Sequence, residues 1–226
     1  MRISKFGRTP ASSQIPQIMS EMQTAADTLL EVGWGVSIFG SARIQPDNPY
    51  YALSESLGQR LAKAGLPLIA GGGPGIMEAA NKGAFHAGGT SIGLNIKLPR
   101  ESTGNRYQTH SLSFEYFYSR KATFFMHSAA YIALPGGFGT LDELFEVLTL
   151  VQTRKVPPAP IILMGTEYWT GLLDWVRAQL LANQLIGPND MDLITLTDSV
   201  DTAMQQIEEF CSDYAEHLGQ TAILPE

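Results

Sequence analysis

Apolar residues recur at helical spacing near the start of the chain, and short apolar runs then alternate with further helical stretches. The first stripe runs from Ile15 to Leu29 and predicts a leading helix. The apolar runs predict strands at 34–39, 66–70, 91–96, 111–114, 130–134, 161–164 and 193–196. The stretches with helical periodicity predict helices at about 50–64, 76–87, 116–127, 141–152 and 168–182, and a last helix whose apolar stripe runs from Val200 to Tyr214.

The predicted strands are apolar along their whole length rather than at alternate positions. Strands of this kind are buried on both faces, as in a parallel sheet covered by helices. The sequence therefore predicts an α/β fold, with one Rossmann-like, doubly wound domain over residues 15–226, about seven mostly parallel strands and helices on both faces. Residues 1–14 are predicted to form a flexible tail. Such sheets bind ligands beyond the carboxyl ends of their strands, where the strand order reverses.

Composition narrows the classes of function. The chain has 226 residues, of which 44% are hydrophobic and only 16% are charged, against about 25% charged in a typical domain. This shortage of charge suggests that another subunit covers part of the surface. The 15 basic and 22 acidic residues give a net charge of -7, which disfavours a general affinity for nucleic acid because phosphate neutralisation needs a basic face.

Metal, disulfide and membrane functions find little support in the sequence. Cys211 is the single cysteine, which excludes a disulfide framework and a thiolate zinc cluster. The four histidines have no metal-ligand spacing, so no metal and no cofactor are expected. No apolar run approaches the ~20 residues that span a bilayer, and the polar N-terminus lacks the apolar region of a signal peptide. A soluble, cytoplasmic protein is expected.

The first candidate strand end is Gly-Ser-Ala-Arg at residues 40–43. The glycine permits a sharp turn, and Ser41 and Arg43 are suited to contact a phosphate. The same residues also fit a simple exit from a strand into a turn. The sequence leaves both interpretations open.

The second candidate is Gly-Gly-Gly-Pro-Gly at residues 71–75, between a predicted strand and a predicted helix. Consecutive glycines let backbone N–H groups approach an anion, and a helix N-terminus adds a favourable partial charge. The dinucleotide motif G-x-G-x-x-G fails because Ile76 occupies its third glycine position, and the next strand ends with Asn95 and Lys97 rather than an acidic residue. A Walker A lysine is also missing, so NAD binding and ATP hydrolysis are both disfavoured.

The third candidate is the strongest, with Leu-Pro-Gly-Gly-Phe-Gly-Thr-Leu-Asp-Glu at residues 134–143 joining a strand to a helix. Thr140 and Glu143 also have the spacing of a helix capping box, in which the glutamate reaches back to the threonine N–H. Capping by Asp142 is a further alternative. A capping box does not explain three glycines in four positions, which suggest a backbone pressed against a ligand.

A basic pair, Arg120 and Lys121, lies in the helix predicted at 116–127. Five large apolar residues surround the pair and predict that this helix is largely buried: Phe117, Tyr118, Phe124, Phe125 and Met126. Charges on a helix usually face solvent, but a buried arginine requires a carboxylate or phosphate partner.

The basic pair together with Pro-Gly-Gly-Phe-Gly-Thr-Leu-Asp-Glu at 135–143 resembles the LOG ("lonely guy") family of cytokinin-activating enzymes, whose pattern is P-G-G-x-G-T-x-x-E. The similarity covers roughly residues 36–207 and includes residues 71–75 and Pro-Arg-Glu at 99–101. The leading helix and longer C-terminal region suggest the larger, bacterial-type subgroup. Proteins of this family have often been labelled lysine decarboxylases, but no lysine here has the context of a pyridoxal phosphate site.

The resemblance implies hydrolysis of the N-glycosidic bond of an adenosine 5'-monophosphate, N6-substituted or not, to a free base and ribose 5-phosphate. By motif, Arg120 and Glu143 match the catalytic pair. With the glycine-rich strand ends added, the expected substrate contacts are Ser41, Gly72, Gly73, Glu101, Arg120, Lys121, Gly136, Gly137, Phe138, Gly139, Thr140, Asp142 and Thr149. Asp142 stands where plant members have glutamate.

The chemistry of the reaction fits these residue types. Cleavage of a ribosyl C–N bond develops positive charge on the sugar, as in other glycoside cleavages. A carboxylate such as Glu143 stabilises that charge and orients or deprotonates water, while Arg120 either positions the substrate or neutralises charge near the leaving base. The resemblance also implies a homodimer or higher homo-oligomer. The alternative is a non-catalytic nucleotide or molybdenum-cofactor carrier on the same scaffold.

Overall fold

The computed structural model of the protein describes residues 11–98 and 104–221, and within them the chain alternates between strands and helices. The strands are β1 Gly35–Phe39, β2 Leu68–Ala70, β3 Ser91–Ile96, β4 His110–Phe114, β5 Ser128–Ala133, β6 Ile161–Met164 and β7 Ile194–Thr197. The α-helices are α1 Ala11–Leu29, α2 Pro49–Lys63, α3 Ile76–His86, α4 Phe117–His127, α5 Phe138–Gln152, α6 Thr166–Trp175 and α7 Val200–Thr221. A π-helical segment, Val176–Leu181, continues α6, and a 3-10 turn, Asp190–Leu193, precedes β7.

The strands form one parallel sheet in the order β4-β3-β2-β1-β5-β6-β7. The central strand β1 places Ile38 beside Ala70 of β2 on one side and beside Ile132 of β5 on the other. From β1 the chain adds strands outward to β4, then returns and adds β5 to β7 on the opposite side. The strand order therefore reverses between β1 and β5, and the predicted doubly wound α/β architecture is confirmed.

Buried apolar residues cover both faces of this sheet. On one face α1, α4, α5 and α6 pack around Phe124 and Trp169. On the other face α2, α3 and α7 pack around Leu57 and Ile207. Strands β1, β2, β5 and β6 contribute side chains to both layers, which explains why their sequences are largely apolar.

Helices α1 and α5 begin at least three residues earlier than predicted. Helix α1 begins at Ala11, so residues 11–14 belong to a helix rather than to the predicted tail, whose first ten residues lie outside the described chain. This polar first turn carries no apolar stripe that the sequence pattern could reveal. Helix α5 begins at Phe138, three residues before its predicted start.

The prediction that α4 is largely buried is wrong for one of its faces. Arg120 and Phe124 are buried, but Tyr118 is 71% exposed and Phe117 is 50% exposed. Met126 is also exposed. Helix α4 thus presents three large apolar side chains to solvent.

Candidate active site

A cavity of about 1220 Å³ opens at the carboxyl edge of the sheet, across the point where the strand order reverses. Its volume is above the roughly 300–1,000 Å³ of common small-molecule sites. The segments that follow β1, β2, β3 and β5 contribute to its wall, together with the start of α5 and one side of α4. All three strand ends singled out in the sequence thus reach the same cavity.

Backbone hydrogen bonds tie these three strand ends together through Ser41. The Ser41 N–H donates to the carbonyl of Pro135 at 3.1 Å, and the Ser41 carbonyl accepts from the N–H of Ile76 at 3.0 Å. The Ser41 hydroxyl oxygen accepts from the Arg43 N–H at 3.0 Å. The turn after β1 is therefore fixed against both glycine-rich segments, and Ser41 lines the cavity.

The glycines after β5 serve two different purposes. A Cβ at Gly136 would lie 2.1 Å from the Thr140 hydroxyl oxygen, so Gly136 lets the buried Thr140 side chain close the turn. A Cβ at Gly137 or Gly139 would meet no described atom within 4 Å. These two positions border open space in the cavity, which leaves the backbone there accessible to a ligand.

Helix α5 directs its N-terminus into this space. Gly137 is its N-cap, and no described side chain caps it. The first N–H groups of a helix lack intrahelical partners and carry partial positive charge. The backbone of residues 136–140, called the anion cradle below, is therefore suited to receive an anion. The capping-box interpretation is wrong, because Thr140 lies inside the first turn and Glu143 and Asp142 bind other partners.

Arg120 is almost fully buried beneath the cavity. Its Nε donates to the Leu94 carbonyl at 2.7 Å and its Nη2 donates to the Gly71 carbonyl at 3.2 Å. Burial lowers the pKa of Arg120, and the charge of Glu143 opposes that effect. An arginine remains protonated under such conditions because its ordinary pKa is above 12. The structure thus confirms the expected buried arginine with a carboxylate partner.

Glu143 faces Arg120 across the floor of the cavity, with its Oε1 atom 3.6 Å from Arg120 Nη1 and 14% of its side chain exposed. Burial raises the pKa of Glu143 to about 7, and the charges of Asp142 and Glu146 add to this rise. The cations Arg120 and Lys121 act in the opposite direction. A carboxyl group with a pKa near neutrality is able to exchange a proton with a substrate or a water molecule.

Lys121 is held by two carboxylates of α5. Its Nζ lies 2.9 Å from Asp142 Oδ2 and 2.6 Å from Glu146 Oε2. Desolvation lowers the pKa of Lys121, but hydrogen bonds and charge interactions with Glu146 and Asp142 outweigh it, so the pKa is raised overall. Lys121 therefore fastens α4 to α5 at the cavity rim as a permanent cation.

Most of the predicted substrate contacts lie in the cavity wall. These are Ser41, Gly73, Arg120, Lys121, Gly136, Gly137, Phe138, Gly139, Thr140 and Asp142, with Glu143 beside them. Gly72 and Thr149 do not line it. The Gly72 carbonyl accepts hydrogen bonds from the Asn105 and Gln108 side chains. Thr149 is an exposed residue whose hydroxyl donates to the Phe145 carbonyl at 2.7 Å. Glu101 lies outside the described residues.

Other residues that the sequence did not single out also line the cavity. Those with polar side chains are Glu78, Asn105, Ser111, Ser113 and Tyr168. The Tyr168 hydroxyl donates to the Gly136 carbonyl and so supports the anion cradle from α6. These residues lie on segments without a recognisable motif, and only the folded sheet edge brings them to the cavity.

Residues 11–98 and 104–221 contain neither a cluster of metal-ligand side chains nor a membrane-spanning helix. No group of three or more His, Cys, Asp or Glu side chains there has the arrangement of a metal site. No helix in the same ranges combines the length and hydropathy needed to cross a membrane.

Sequence comparison finds a family model described as "possible lysine decarboxylase" that matches residues 77–207. The cytokinin riboside 5'-monophosphate phosphoribohydrolase LOG1 of Arabidopsis thaliana is 32% identical over 158 residues, which cover 68% of this chain and 73% of LOG1. LOG4 of the same plant, which has the same enzyme name, is 28% identical over 194 residues, covering 84% of this chain and 89% of LOG4.

Solved structures share the fold at lower identity. The protein TM1055 is 23% identical with a TM-score of 0.59, over 78% of this chain and 99% of that one. The molybdenum cofactor carrier protein of Chlamydomonas reinhardtii is 23% identical with a TM-score of 0.57, over 80% of this chain and 99% of the carrier. At this identity the likeness concerns the fold alone.

Proposed function

The chain belongs to the LOG family, and we propose that it hydrolyses the N-glycosidic bond of an adenosine 5'-monophosphate, N6-substituted or not, to free base and ribose 5-phosphate. Relatives named cytokinin riboside 5'-monophosphate phosphoribohydrolases support this reaction. The single observation that carries it is the buried Arg120 and Glu143 pair, with Nη1 and Oε1 3.6 Å apart, beside an open anion cradle.

The 5'-phosphate binds in the cradle at residues 136–140. The free N–H groups at the start of α5 supply hydrogen-bond donors and a favourable partial charge for an anion. Gly137 and Gly139 leave space for the phosphate oxygens to approach the backbone. With the phosphate held there, the attached ribose extends toward the floor of the cavity, which Arg120 and Glu143 form.

Glu143 acts on the ribose and on the attacking water. As the C1'–N bond breaks, its electron pair leaves with the base and positive charge develops on the sugar, which an ionised Glu143 stabilises. Water then forms the new C1'–O bond and gives its proton to the carboxylate, which passes it to the departing base, so that the free base is neutral and Glu143 is ionised again. A pKa of about 7 leaves a substantial fraction of Glu143 ionised at neutral pH, so the carboxylate is available for this role.

Arg120 provides a fixed positive charge at the same place. Two of its donors are bound to the Leu94 and Gly71 carbonyls, so its orientation is set before any ligand arrives. A preorganised charge of this kind favours a transition state without a reorganisation cost. Arg120 thereby holds Glu143 in place and offers its remaining donors to the substrate.

We also propose that the protein works as a homodimer or a higher homo-oligomer. Phe138, at the mouth of the cavity, is 93% exposed, and Phe117 and Tyr118 present further apolar surface nearby. Large exposed apolar side chains beside a binding site are typical of a subunit interface. A net charge of -7 argues against nucleic acid as a partner.

The reaction is tested by product analysis after incubation with AMP, CMP, GMP and N6-isopentenyl-AMP. We expect free base and ribose 5-phosphate in equal amounts from at least one adenine nucleotide. Binding of a nucleotide without any release of base, in the presence of folded protein, would overturn the proposal and favour the carrier alternative.

A further inference from the structure

The carbonyl oxygen of Gly72 accepts hydrogen bonds from three donors on the segment that follows the cavity rim. The backbone N–H of Asn105 donates at 2.7 Å, its side-chain Nδ2 at 3.0 Å and Gln108 Nε2 at 3.1 Å. Asn105 Nδ2 also lies 3.2 Å from the Gly73 carbonyl. Asn105 thus clamps two consecutive peptide groups of the glycine-rich turn after β2.

Asn105 is itself held in place by buried groups. Its Nδ2 lies 2.9 Å from Oδ1 of Asn81, a fully buried residue of α3. Asn81 in turn donates to the Ser91 hydroxyl at 2.8 Å. On its other side, Asn105 Oδ1 accepts from the Tyr107 N–H at 3.1 Å. The clamp is therefore continuous with the packed interface between α3 and β3.

The clamped turn is the same one that orients Arg120. Gly72 has a φ of +74°, a conformation that favours glycine. A Cβ at Gly72 would also lie 2.1 Å from Asn95 Oδ1. The preceding carbonyl, that of Gly71, accepts from Arg120 Nη2. Rotation of the peptide groups around Gly72 would therefore move the acceptor that sets the guanidinium plane.

We propose that Asn105 is a positioning residue, which fixes the Gly71 carbonyl through its clamp on Gly72 and thereby holds Arg120 against Glu143. The proposal rests on the proposed function, since the consequence of the clamp is catalytic. Asn105 acts through the turn after β2. The anion cradle at residues 136–140 is held in place by other groups and does not depend on Asn105. Loss of the clamp therefore lowers turnover and leaves phosphate anchoring in place.

The test uses Asn105→Ala and the milder Asn105→Ser, which keeps an oxygen able to accept from the Tyr107 N–H. Ile207→Val is the matched control, because it trims the buried core of α7 away from the cavity. We expect kcat for AMP to fall about 10- to 100-fold in both Asn105 variants with KM nearly unchanged. The control keeps wild-type kcat. A rise in KM with unchanged kcat would overturn the proposal.

A second measurement needs no activity. The charged groups that face Glu143 are Arg120 and Lys121 of α4 and Asp142 and Glu146 of α5. If the clamp holds Arg120 in place, its loss weakens the attraction that lowers the pKa of Glu143. The Glu143 carboxyl, followed by NMR in the ligand-free protein, then titrates about half a pH unit or more higher in Asn105→Ala than in wild type.

The two measurements separate the two proposals. A wild-type protein that releases no base from any monophosphate refutes the proposed function, while the Glu143 titration still tests the clamp. An active wild type whose Glu143 titration is the same in Asn105→Ala refutes the positioning role. A raised Glu143 titration together with a lowered kcat supports it.

Discussion

Arg120 Nη1 and Glu143 Oε1 lie 3.6 Å apart in a nearly solvent-free floor, which is an ion-pair contact but too long for a good hydrogen bond. Arg120 makes its short hydrogen bonds to two backbone carbonyls instead. The Glu143 carboxylate therefore keeps hydrogen-bonding capacity that faces the cavity. This arrangement orients both charged groups and leaves the carboxylate able to bind a substrate or a water molecule.

Turnover of AMP should rise with pH through a midpoint near 7. Burial raises the pKa of Glu143 to about 7, and the ionised form is the one that stabilises the sugar cation and accepts the proton from water. The measurement is kcat at saturating AMP between pH 5.5 and about 8.5, because the substrate phosphate itself titrates near pH 6 and affects binding. A kcat that falls over this range would show that Glu143 acts as an acid.

The stability of the folded protein should also depend on the ionisation of Glu143, but it should fall as the pH rises. The folded protein holds the Glu143 proton up to pH about 7, whereas the unfolded chain releases it near its ordinary pKa of 4.5. The folded state therefore binds more protons between these values, and stability falls as pH rises through them. Relative to Glu143→Gln, wild type should lose on the order of 2–3 kcal/mol from pH 4.5 to about 8. Denaturant unfolding at several pH values measures this, and a parallel course for both proteins would contradict it.

Replacement of Arg120 by lysine should be harmful although the charge is kept. A lysine lacks the planar fork that reaches the Leu94 and Gly71 carbonyls together. We expect about 10²-fold slower turnover and a loss of about 1–3 kcal/mol from the unsatisfied buried carbonyl. Kinetics and denaturant unfolding check both effects. Lys63→Arg, an exchange on the far end of α2, serves as the control and should change neither.

Alanine substitutions at two glycines after β5 should have different effects, one on substrate binding and the other on stability. Gly139→Ala places a methyl group in open space, so the fold is kept while the anion cradle is partly filled, and KM for AMP should rise about tenfold. Gly136→Ala collides with the Thr140 side chain and should cost about 1–3 kcal/mol of stability. Thermal unfolding and KM are measured for both. Equal losses of stability in the two variants would contradict the distinction.

The exposed apolar side chains of α4 should be buried at an interface between subunits. Tyr118→Glu places a charge at a position that is 71% exposed in the single chain, and we expect it to shift the oligomer toward monomer. Light scattering after size-exclusion chromatography gives the mass of each species. Leu185→Glu, at a separate exposed apolar residue, is the control and should keep the wild-type mass. A monomeric wild type would contradict the proposed assembly.

The fold was accessible from the sequence where burial imposes one pattern. The predicted β6 at 161–164 agrees with the structure, because a strand packed on both faces must be apolar throughout. The start of α5 was missed since Gly137 caps it without a side-chain signal. The exposure of α4 was missed for a different reason: its exposed side chains are of the same apolar types as those of a core.

The site was predictable only where a motif fixes the geometry. Residues 136–143 lie on one turn and one helix, so their arrangement follows from their spacing. Gly72 shows the limit of this reasoning. It belongs to the predicted glycine-rich turn, but its carbonyl points to Asn105, 33 positions away. Contacts of that kind depend on how β2 and β4 are placed in the sheet, which no local pattern contains.

Release of adenine from AMP by Glu143→Gln tests the role of the buried pair most directly. The substitution keeps the size of the side chain and removes its charge and its capacity to accept a proton from water. We predict that the variant folds, binds AMP with an affinity near that of wild type and releases adenine at least about 100-fold more slowly. A rate close to that of wild type would contradict the assignment of Glu143 as the catalytic carboxylate.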